Sequence, residues 1–172
     1  NEEDKWDTYL DSFEGWKNET GTGTESVTYA FESITARTNS SNGSAGSQYS
    51  IYDGSGMNYL WFGSGKPYLV VKDITLPEGK VDFKISFGSE RYLYEAENNT
   101  FNWDEFKAYV SIDGAKWSVP AWEFAGEELP DGKWDLASAV ITVPEGTTKL
   151  YLYFAASMAS AYALDDLKVE ES

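Results

Sequence analysis

The chain has 172 residues and contains neither cysteine nor histidine. Without cysteine it can form no disulfide, so the hydrophobic core must stabilise the fold. The two absences together exclude thiol nucleophiles, zinc sites of the usual kind and Ser-His-Asp triads. No run of 18 apolar residues occurs, so we expect no segment of this sequence to insert into a membrane.

Basic residues are also scarce. The chain has 13 Lys and Arg against 29 Asp and Glu, which gives a net charge of -16. Nucleic acids and anionic membrane surfaces bind clustered Lys and Arg side chains, so neither is an expected partner. A negative field of this size favours divalent cations and neutral ligands such as sugars.

Aromatic residues, in contrast, are abundant. They make up 16% of the chain, with 7 Trp and 12 Tyr, and they are accompanied by 15 Gly. This mixture favours strands and turns over helices. The length suits one domain with a full core. We therefore predict a polar lead over residues 1–7, which would follow a removed export signal, and a single domain over residues 8–172.

Short alternating segments separated by turns run through most of the chain. In the segment 81–87, apolar residues alternate with polar ones, as in a half-buried strand. Pro-Glu-Gly occurs twice between such segments, at 77–79 and 144–146, and predicts a tight turn each time. About ten strands and no helix are expected, which is typical of an antiparallel β-sandwich.

The final strand contains two adjacent carboxylates. In the segment 161–170 the alternation places Ala163, Asp165 and Leu167 on one face, which predicts that Asp165 points into the core. Leu164 then points outward unless a bulge intervenes. A buried carboxylate needs a partner. Two partners are open at this point, namely a bound calcium ion and backbone amides at the sheet edge.

Four short motifs carry a resemblance to a known group of modules. They are Phe-Glu at 13–14, Ser-Gly-Met-Asn-Tyr-Leu-Trp-Phe-Gly at 55–63, Ser-Ile-Asp-Gly-Ala-Lys-Trp at 111–117 and Leu-Asp-Asp-Leu at 164–167. In this order they resemble the jelly-roll modules of surface and secreted Bacteroidetes proteins, which include cleaved-adhesin and choice-of-anchor J domains. MAM domains and calcium-bearing carbohydrate-binding modules are more distantly similar. The resemblance covers most of the chain.

The resemblance implies a fold, a location and a cofactor. The fold is a jelly roll of the galactose-binding or concanavalin-like type. The protein would be exported, either to the extracellular space or to the outer-membrane surface as a lipoprotein. In such modules the glutamate of Phe-Glu and one aspartate of the terminal pair hold a structural calcium, an ion that prefers oxygen ligands. Carried over, the metal ligands are Glu14 and Asp165, with Asp166 and Asn58 as weaker candidates.

The polar and aromatic stretch 90–105 is the main candidate for ligand contact, because functional residues concentrate on loops held by a rigid scaffold. Aromatic rings stack on sugar faces, while amides and carboxylates bind hydroxyls. The predicted ligand-binding residues are Tyr92, Tyr94, Asn99, Trp103 and Trp122. The alternative is that the rings of this stretch fold back over the edge of the sandwich, and the sequence leaves the position of Trp122 ambiguous. Trp61 and Trp117 are predicted to belong to the core, and Trp134 to the core or to a sheet edge.

These observations together predict a non-catalytic, monomeric module that binds a glycan or a glycoprotein. Two alternatives remain open. One is a polysaccharide-degrading enzyme that uses carboxylates, or Tyr92 or Tyr94 with Arg91, since no histidine is available. The other is an architectural domain of a larger surface protein.

Overall fold

The computed structural model describes residues 9–11, 13, 27–38, 50–54, 58–126 and 128–172. In these ranges the chain forms strands and turns, and no helix long and apolar enough to cross a membrane is found there. The polar lead predicted for residues 1–7 lies outside them. The strands are β1 Tyr9–Asp11, β2 Thr28–Glu32, β3 Ile34–Thr38, β4 Asn58–Phe62, β5 Tyr68–Thr75, β6 Asp82–Arg91, β7 Phe106–Ser111, β8 Glu123–Phe124, β9 Asp135–Thr142, β10 Lys149–Ala156 and β11 Tyr162–Glu171.

The strands form two antiparallel sheets. The larger sheet has the order β3-β4-β11-β6-β9-β8, and the smaller one has the order β2-β5-β10-β7. In the larger sheet, β1 and β4 pair with the same edge of β11, one beyond the other. β4 pairs with residues 162–164 of β11, and β1 pairs with residues 167–169. The predicted β-sandwich is confirmed.

The main core lies between the two sheets and is rich in aromatic rings. Phe87 of the larger sheet and Phe154 of the smaller one meet edge to face, with ring centroids 5.2 Å apart. Phe106 stacks on Tyr162 with centroids 5.3 Å apart. Such pairs stabilise a core beyond the area that they bury. Packing between aromatic rings thus stabilises a fold that has no disulfide.

The two Pro-Glu-Gly segments form the turns that were predicted for them. Gly79 and Gly146 have φ angles of 80° and 89°, in the left-handed region that side chains with a Cβ rarely adopt. The second turn is closed by a hydrogen bond from the Thr147 amide to the Pro144 carbonyl oxygen, 3.1 Å long. The same turn chemistry is therefore used at two places in the fold.

A β-bulge interrupts the final strand at its two carboxylates. Asp165 pairs with Gly88 of β6, but Lys168 pairs with Ser86, so β11 holds one residue more than its partner over this interval. Asp166 has a φ of 51°, which is typical of such an inserted residue. The bulge changes which side of the sheet the following side chains face.

The single face predicted for Ala163, Asp165 and Leu167 is therefore wrong. Leu164 and Leu167 both belong to the main core, whereas Ala163 packs in a separate cluster on the outer face of the sheet. Asp165 itself is fully buried, as predicted, but by alternation it shares the outer face with Ala163.

The outer cluster consists of Tyr59, Trp134 and Ala163, with Tyr52 and Trp61 packed against it. Tyr52 reaches across the sheet to Asp166, to which its hydroxyl donates a hydrogen bond of 3.0 Å. Gly88 makes this path possible, because a Cβ at that position would lie 1.8 Å from the Tyr52 hydroxyl oxygen. A second layer thus covers part of the larger sheet.

The tryptophans predicted to be in the core are distributed differently. Trp134 is fully buried, but in the outer cluster. Trp61 is half-buried on the outer face of the larger sheet. Trp117 is half-buried and packs edge to face on Tyr153, on the outer face of the smaller sheet, with ring centroids 5.6 Å apart. The core prediction is therefore wrong for Trp61 and Trp117, because outward-facing aromatic rings cannot be told from inward-facing ones in a short apolar segment.

The bulge predicts that Leu164 and Leu167 are both core residues. Leu164→Ala and Leu167→Ala should each lower the free energy of unfolding by about 2–5 kcal/mol, because both side chains are fully buried. Val140→Ala, at a site that is 60% exposed, should cost no more than about 0.5 kcal/mol. Urea unfolding measures all three. A near-neutral Leu164→Ala would mean that the strand lacks the bulge.

Candidate ligand pocket

A pocket lies on the outer face of the larger sheet, where a row of side chains crosses four strands. Thr35, Trp61, Ala163 and Glu90 are neighbours in this row, on β3, β4, β11 and β6 respectively. Adjacent strands lie about 4.8 Å apart, so Trp61 and Glu90 flank Ala163 at roughly 10 Å from each other. Because alanine has a short side chain, the row dips in its middle, and this dip is the floor of the pocket.

The walls of the pocket come from the chain that leaves β6 and from the turn that enters β11. Tyr92, Leu93 and Tyr94 form one wall, and Ser160 and Ala161 form another. The enclosed volume is about 240 Å³. Small-molecule sites typically enclose roughly 300–1,000 Å³, so this pocket suits a single ring such as one sugar residue.

Arg37 and Tyr59 complete the lining at the β3 side. The Arg37 guanidinium carbon lies 3.5 Å from the centre of the Trp61 ring, so its charge rests on the face of the indole. Burial raises the pKa of the Tyr59 hydroxyl, and the neighbouring Arg37 acts against this rise. Tyr59 therefore remains a neutral hydroxyl beside a cation.

Glu90 is the most unusual group in the pocket. Its side chain is almost fully buried, with 3% of the residue exposed. Its Oε2 atom is buried and has no hydrogen-bond partner among the described residues. Burial alone raises the pKa of this carboxyl to about 9. Glu90 is thus a protonated acid at neutral pH, and a buried polar atom without a partner marks this position as a candidate for ligand contact.

The structure brings only part of the predicted ligand-binding set together. Tyr92 and Tyr94 line the pocket, and Tyr94 is 77% exposed. Asn99, in contrast, uses its side-chain oxygen to accept a 2.7 Å hydrogen bond from the Leu93 amide, and so fixes the wall from behind.

The two predicted tryptophans lie elsewhere. Trp122 packs on Phe87 and donates a hydrogen bond of 3.0 Å from its indole nitrogen to the Ala108 carbonyl oxygen. Trp103 stacks on Phe124 with ring centroids 5.3 Å apart. Both rings fold over the edge of the sandwich, which is the alternative that the sequence left open for them.

A larger groove of about 560 Å³ lies beside Trp103, and two of its charged groups, Arg91 and Glu105, are paired with each other. The Arg91 guanidinium donates to Glu105 at 2.9 Å and to the Asn99 side-chain oxygen at 3.1 Å. Tyr162 donates to the same Glu105 carboxylate at 2.6 Å, which lowers the pKa of Glu105. Arg91 therefore stabilises this loop and does not face Tyr92 and Tyr94 as a catalytic partner.

The predicted metal ligands lie partly outside the described residues. Glu14 belongs to an undescribed part of the chain. Asp165 accepts a hydrogen bond of 2.8 Å from the Asp166 amide, which corresponds to the backbone-capping alternative. By alternation Asn58 faces the core side with Leu60, away from the outer face of Asp165. Within the described ranges no group of three or more acidic side chains could hold a metal ion, so calcium stays a prediction.

Most of the pocket lining was not predicted as ligand contacts, including Arg37, Tyr59, Trp61 and Glu90. The strand that contains the alternating segment 82–87 extends to Arg91, and counting forward from Phe87 places Glu90 on the outer face of β6. The sequence gives no strand order, however, so the row that joins Glu90 to Trp61 could not be foreseen.

Comparison with known proteins identifies the fold. No protein-family model and no curated protein match the chain. Among solved structures, the xylan-binding CBM22-1 domain of Paenibacillus barcinonensis Xyn10C matches with a TM-score of 0.54 at 13% identity, over 96% of this chain and 94% of that domain. The K1 cleaved adhesin domain of Lys-gingipain from Porphyromonas gingivalis matches with a TM-score of 0.50 at 14% identity, over 97% and 99%.

The CBM22-1–GH10 modules of Clostridium thermocellum xylanase 10B also match, with a TM-score of 0.51 at 17% identity. The match covers 86% of this chain, which spans 26% of the length of that protein. This chain has the jelly-roll fold. Carbohydrate-binding modules and cleaved adhesin domains share it, as the motifs of the sequence predicted.

The protonation of Glu90 predicts an unusual pH dependence of stability. A carboxyl whose pKa is raised on folding is penalised above its unfolded pKa, and the penalty grows with pH until the folded pKa of about 9. Glu90→Gln removes the penalty. We expect this variant to exceed the parent by up to about 3 kcal/mol at pH 7, and by little near pH 4.

Urea unfolding at the two pH values measures this difference. Glu78→Gln, at an exposed turn position, is the matched control and should show no such pH dependence. If Glu90→Gln changes stability equally at both pH values, the carboxyl is ionised in the folded protein.

Proposed function

We propose that this protein is a non-catalytic module that binds a glycan, alone or on a glycoprotein, through the pocket around Ala163. It acts after export, at a cell surface or outside the cell. One observation carries the proposal. A pocket of the size of one sugar ring is lined by Tyr59, Trp61, Tyr92 and Tyr94 and contains a buried acid whose Oε2 atom has no partner in the described chain.

The chemistry of the lining supports a sugar. Aromatic rings offer apolar surface to the C–H faces of a pyranose, at a low cost in side-chain entropy. The protonated Glu90 and the tyrosine hydroxyls supply hydrogen bonds to the sugar oxygens. The fold agrees with this function, since the solved CBM22-1 domain of the same fold is xylan-binding.

The geometry favours binding over catalysis. Glycoside hydrolysis generally needs two carboxyl groups about 5–10 Å apart, whereas Glu90 is the single carboxyl among the residues that line the pocket. Arg91, which a tyrosine-based mechanism would require, is held by Glu105 at 2.9 Å. The pocket can therefore hold a sugar but lacks a second group to cleave its bond.

The binding proposal is tested by removing one ring. Tyr94→Ala should weaken glycan binding roughly tenfold, because a ring at the centre of a contact typically contributes more than 1 kcal/mol. Its 77% exposure means that the fold should remain intact. A glycan array followed by calorimetry on the best ligand measures the loss.

Trp117→Ala is the matched control, because Trp117 lies on the opposite face of the sandwich beside Tyr153. It should leave affinity unchanged. If Trp117→Ala abolishes binding while Tyr94→Ala does not, the ligand binds on the smaller sheet and the pocket assignment is wrong.

We also propose that a structural calcium ion binds at Asp165, together with Glu14. Two features support it. Asp165 is fully buried, and it lies at the bulge where the edge of β11 passes from its partner β4 to its partner β1. An ion at this point would join the two halves of the strand edge. Calcium prefers carboxylate and carbonyl oxygens, which a bulge exposes.

Calcium should raise the melting temperature by several degrees over excess chelator, at about 2–5 mM ion. Asp165→Asn should remove this gain and leave the calcium-free melting temperature nearly unchanged. Asp104→Asn, at a side chain that is 94% exposed, should keep the full gain. Equal losses for Asp165→Asn with and without calcium would show that the carboxylate only accepts backbone hydrogen bonds.

A further inference from the structure

The charge of the pocket is opposite to the charge of the protein. The chain as a whole carries -16. Among the residues that line the pocket, Arg37 and Glu90 are the two ionisable groups other than tyrosine. Because Glu90 is a neutral acid at pH 7, Arg37 is left as the charged group of the lining. The pocket is therefore locally cationic within a strongly anionic molecule.

Arg37 is held in a position that leaves its charge available. It lies flat on Trp61, a contact that orients the guanidinium without neutralising it. No ion pair joins it to an acidic side chain of the described residues. Arg91, the other arginine of the chain, is in contrast paired with Glu105. Arginine is the side chain best suited to bind a carboxylate through two parallel hydrogen bonds.

The other polar groups of the pocket are able to donate. Protonated Glu90 carries one O–H, and Tyr59 carries another because its hydroxyl is kept neutral by burial. A pocket of donors with one cation complements an acceptor-rich anion. It does not complement a second cation, which Arg37 would repel.

We propose that the pocket selects a sugar residue that bears a carboxylate, with Arg37 pairing with that carboxylate and Glu90 donating a hydrogen bond to an oxygen of the same sugar. This inference rests on the proposed glycan-binding function and names the class of glycan. The sugar ring lies over Ala163, between the Trp61 and Glu90 sides of the floor. Uronic acids and sialic acids share the required carboxylate.

The same arrangement makes binding sensitive to alkaline pH. When Glu90 loses its proton, it no longer donates, and its charge repels the carboxylate of the ligand. The groups that face Glu90 from neighbouring elements are few. β11 contributes Asp165, which lies on the same outer face two residues beyond Ala163 and accepts the Asp166 amide hydrogen bond. The turn before β11 supplies none, and the remaining ones are Arg37 of β3, Tyr59 of β4, and Tyr92 and Tyr94 beyond β6.

On the β9 side, Asp135 lies opposite Ser89 in the strand register. Its carboxylate accepts hydrogen bonds from the Gly126 and Leu136 amides, at 3.1 and 2.7 Å. Glu90, with a pKa of about 9, is therefore the group whose ionisation changes the charge of the pocket as the solution becomes alkaline.

The first experiment compares matched ligands on the intact protein. The probes are oligosaccharides that end in glucuronic acid, galacturonic acid or N-acetylneuraminic acid, each beside its neutral methyl ester. At pH 7 we expect each bound acid to exceed its ester roughly tenfold in affinity, as one charge-assisted hydrogen-bond pair should provide. Which of the three acids binds identifies the source of the carboxylate. Arg37→Gln should remove the preference for the acid over its ester.

The second experiment follows the preferred acid from pH 7 to pH 10. The parent should lose roughly tenfold in affinity, because the fraction of neutral Glu90 falls about tenfold at one pH unit above its pKa. Glu90→Gln keeps a neutral donor at this position, so its affinity should not fall between pH 7 and pH 10 as that of the parent does. Any loss of affinity that comes from the pocket tyrosines at alkaline pH would persist in Glu90→Gln and is thereby separated from the loss caused by Glu90.

The outcomes distinguish the two proposals. If the esters bind as tightly as the acids, the selection of a carboxylate is wrong and glycan binding at the pocket stands. If Glu90→Gln shows the same alkaline loss as the parent, Glu90 is not the group that titrates, and its proposed role is wrong. If no sugar binds the parent, or if Tyr94→Ala has no effect on binding, the proposed function of the pocket fails together with this inference.

Discussion

The structure depends on the strand β11, which forms backbone hydrogen bonds with neighbouring strands along both of its edges. One edge pairs with β6 along most of its length, and the other pairs first with β4 and then with β1. The bulge at Asp165 and Asp166 interrupts the pairing with β6 at the point where the other edge changes partner, and the Asp165 carboxylate accepts a hydrogen bond from the Asp166 amide there.

The same bulge determines where the pocket lies. Before it, the even-numbered residues of β11 face the core and Ala163 faces outward; after it, the odd-numbered Leu167 and Val169 take the inner positions. Without the change of phase, one half of the strand would expose its leucines. The short outward side chain of Ala163 can then form the floor between Trp61 and Glu90. The bulge lies two residues beyond Ala163, which forms the pocket floor beside Glu90. The burial that keeps Glu90 protonated therefore depends on the geometry of β11.

Much of the fold was predictable because alternation, turn residues and composition act locally. The strands and both Pro-Glu-Gly turns follow from short stretches of sequence. The orientation of Leu164 and the position of Trp61 could not be predicted in this way. A one-residue bulge moves every later side chain of its strand to the other face of the sheet and leaves no distinct local signal. Of the pocket, Tyr92 and Tyr94 were predicted from their loop. Glu90 and Arg37 were not, since they meet only through a strand order that joins β3, β4, β11 and β6.

The position of β11 also bears on how the protein folds. Tyr9 pairs with Val169, some 160 positions further along the chain, and β4 likewise pairs with the distant residues 162–164. Contacts between such distant segments make folding slow, because the intervening chain must be ordered before they form. The larger sheet cannot close while its middle strand is missing, so partly synthesised chains remain open and the domain forms in one late, cooperative step. The two ends of the described chain thus meet in one sheet, and that sheet is complete only when its final strand is present.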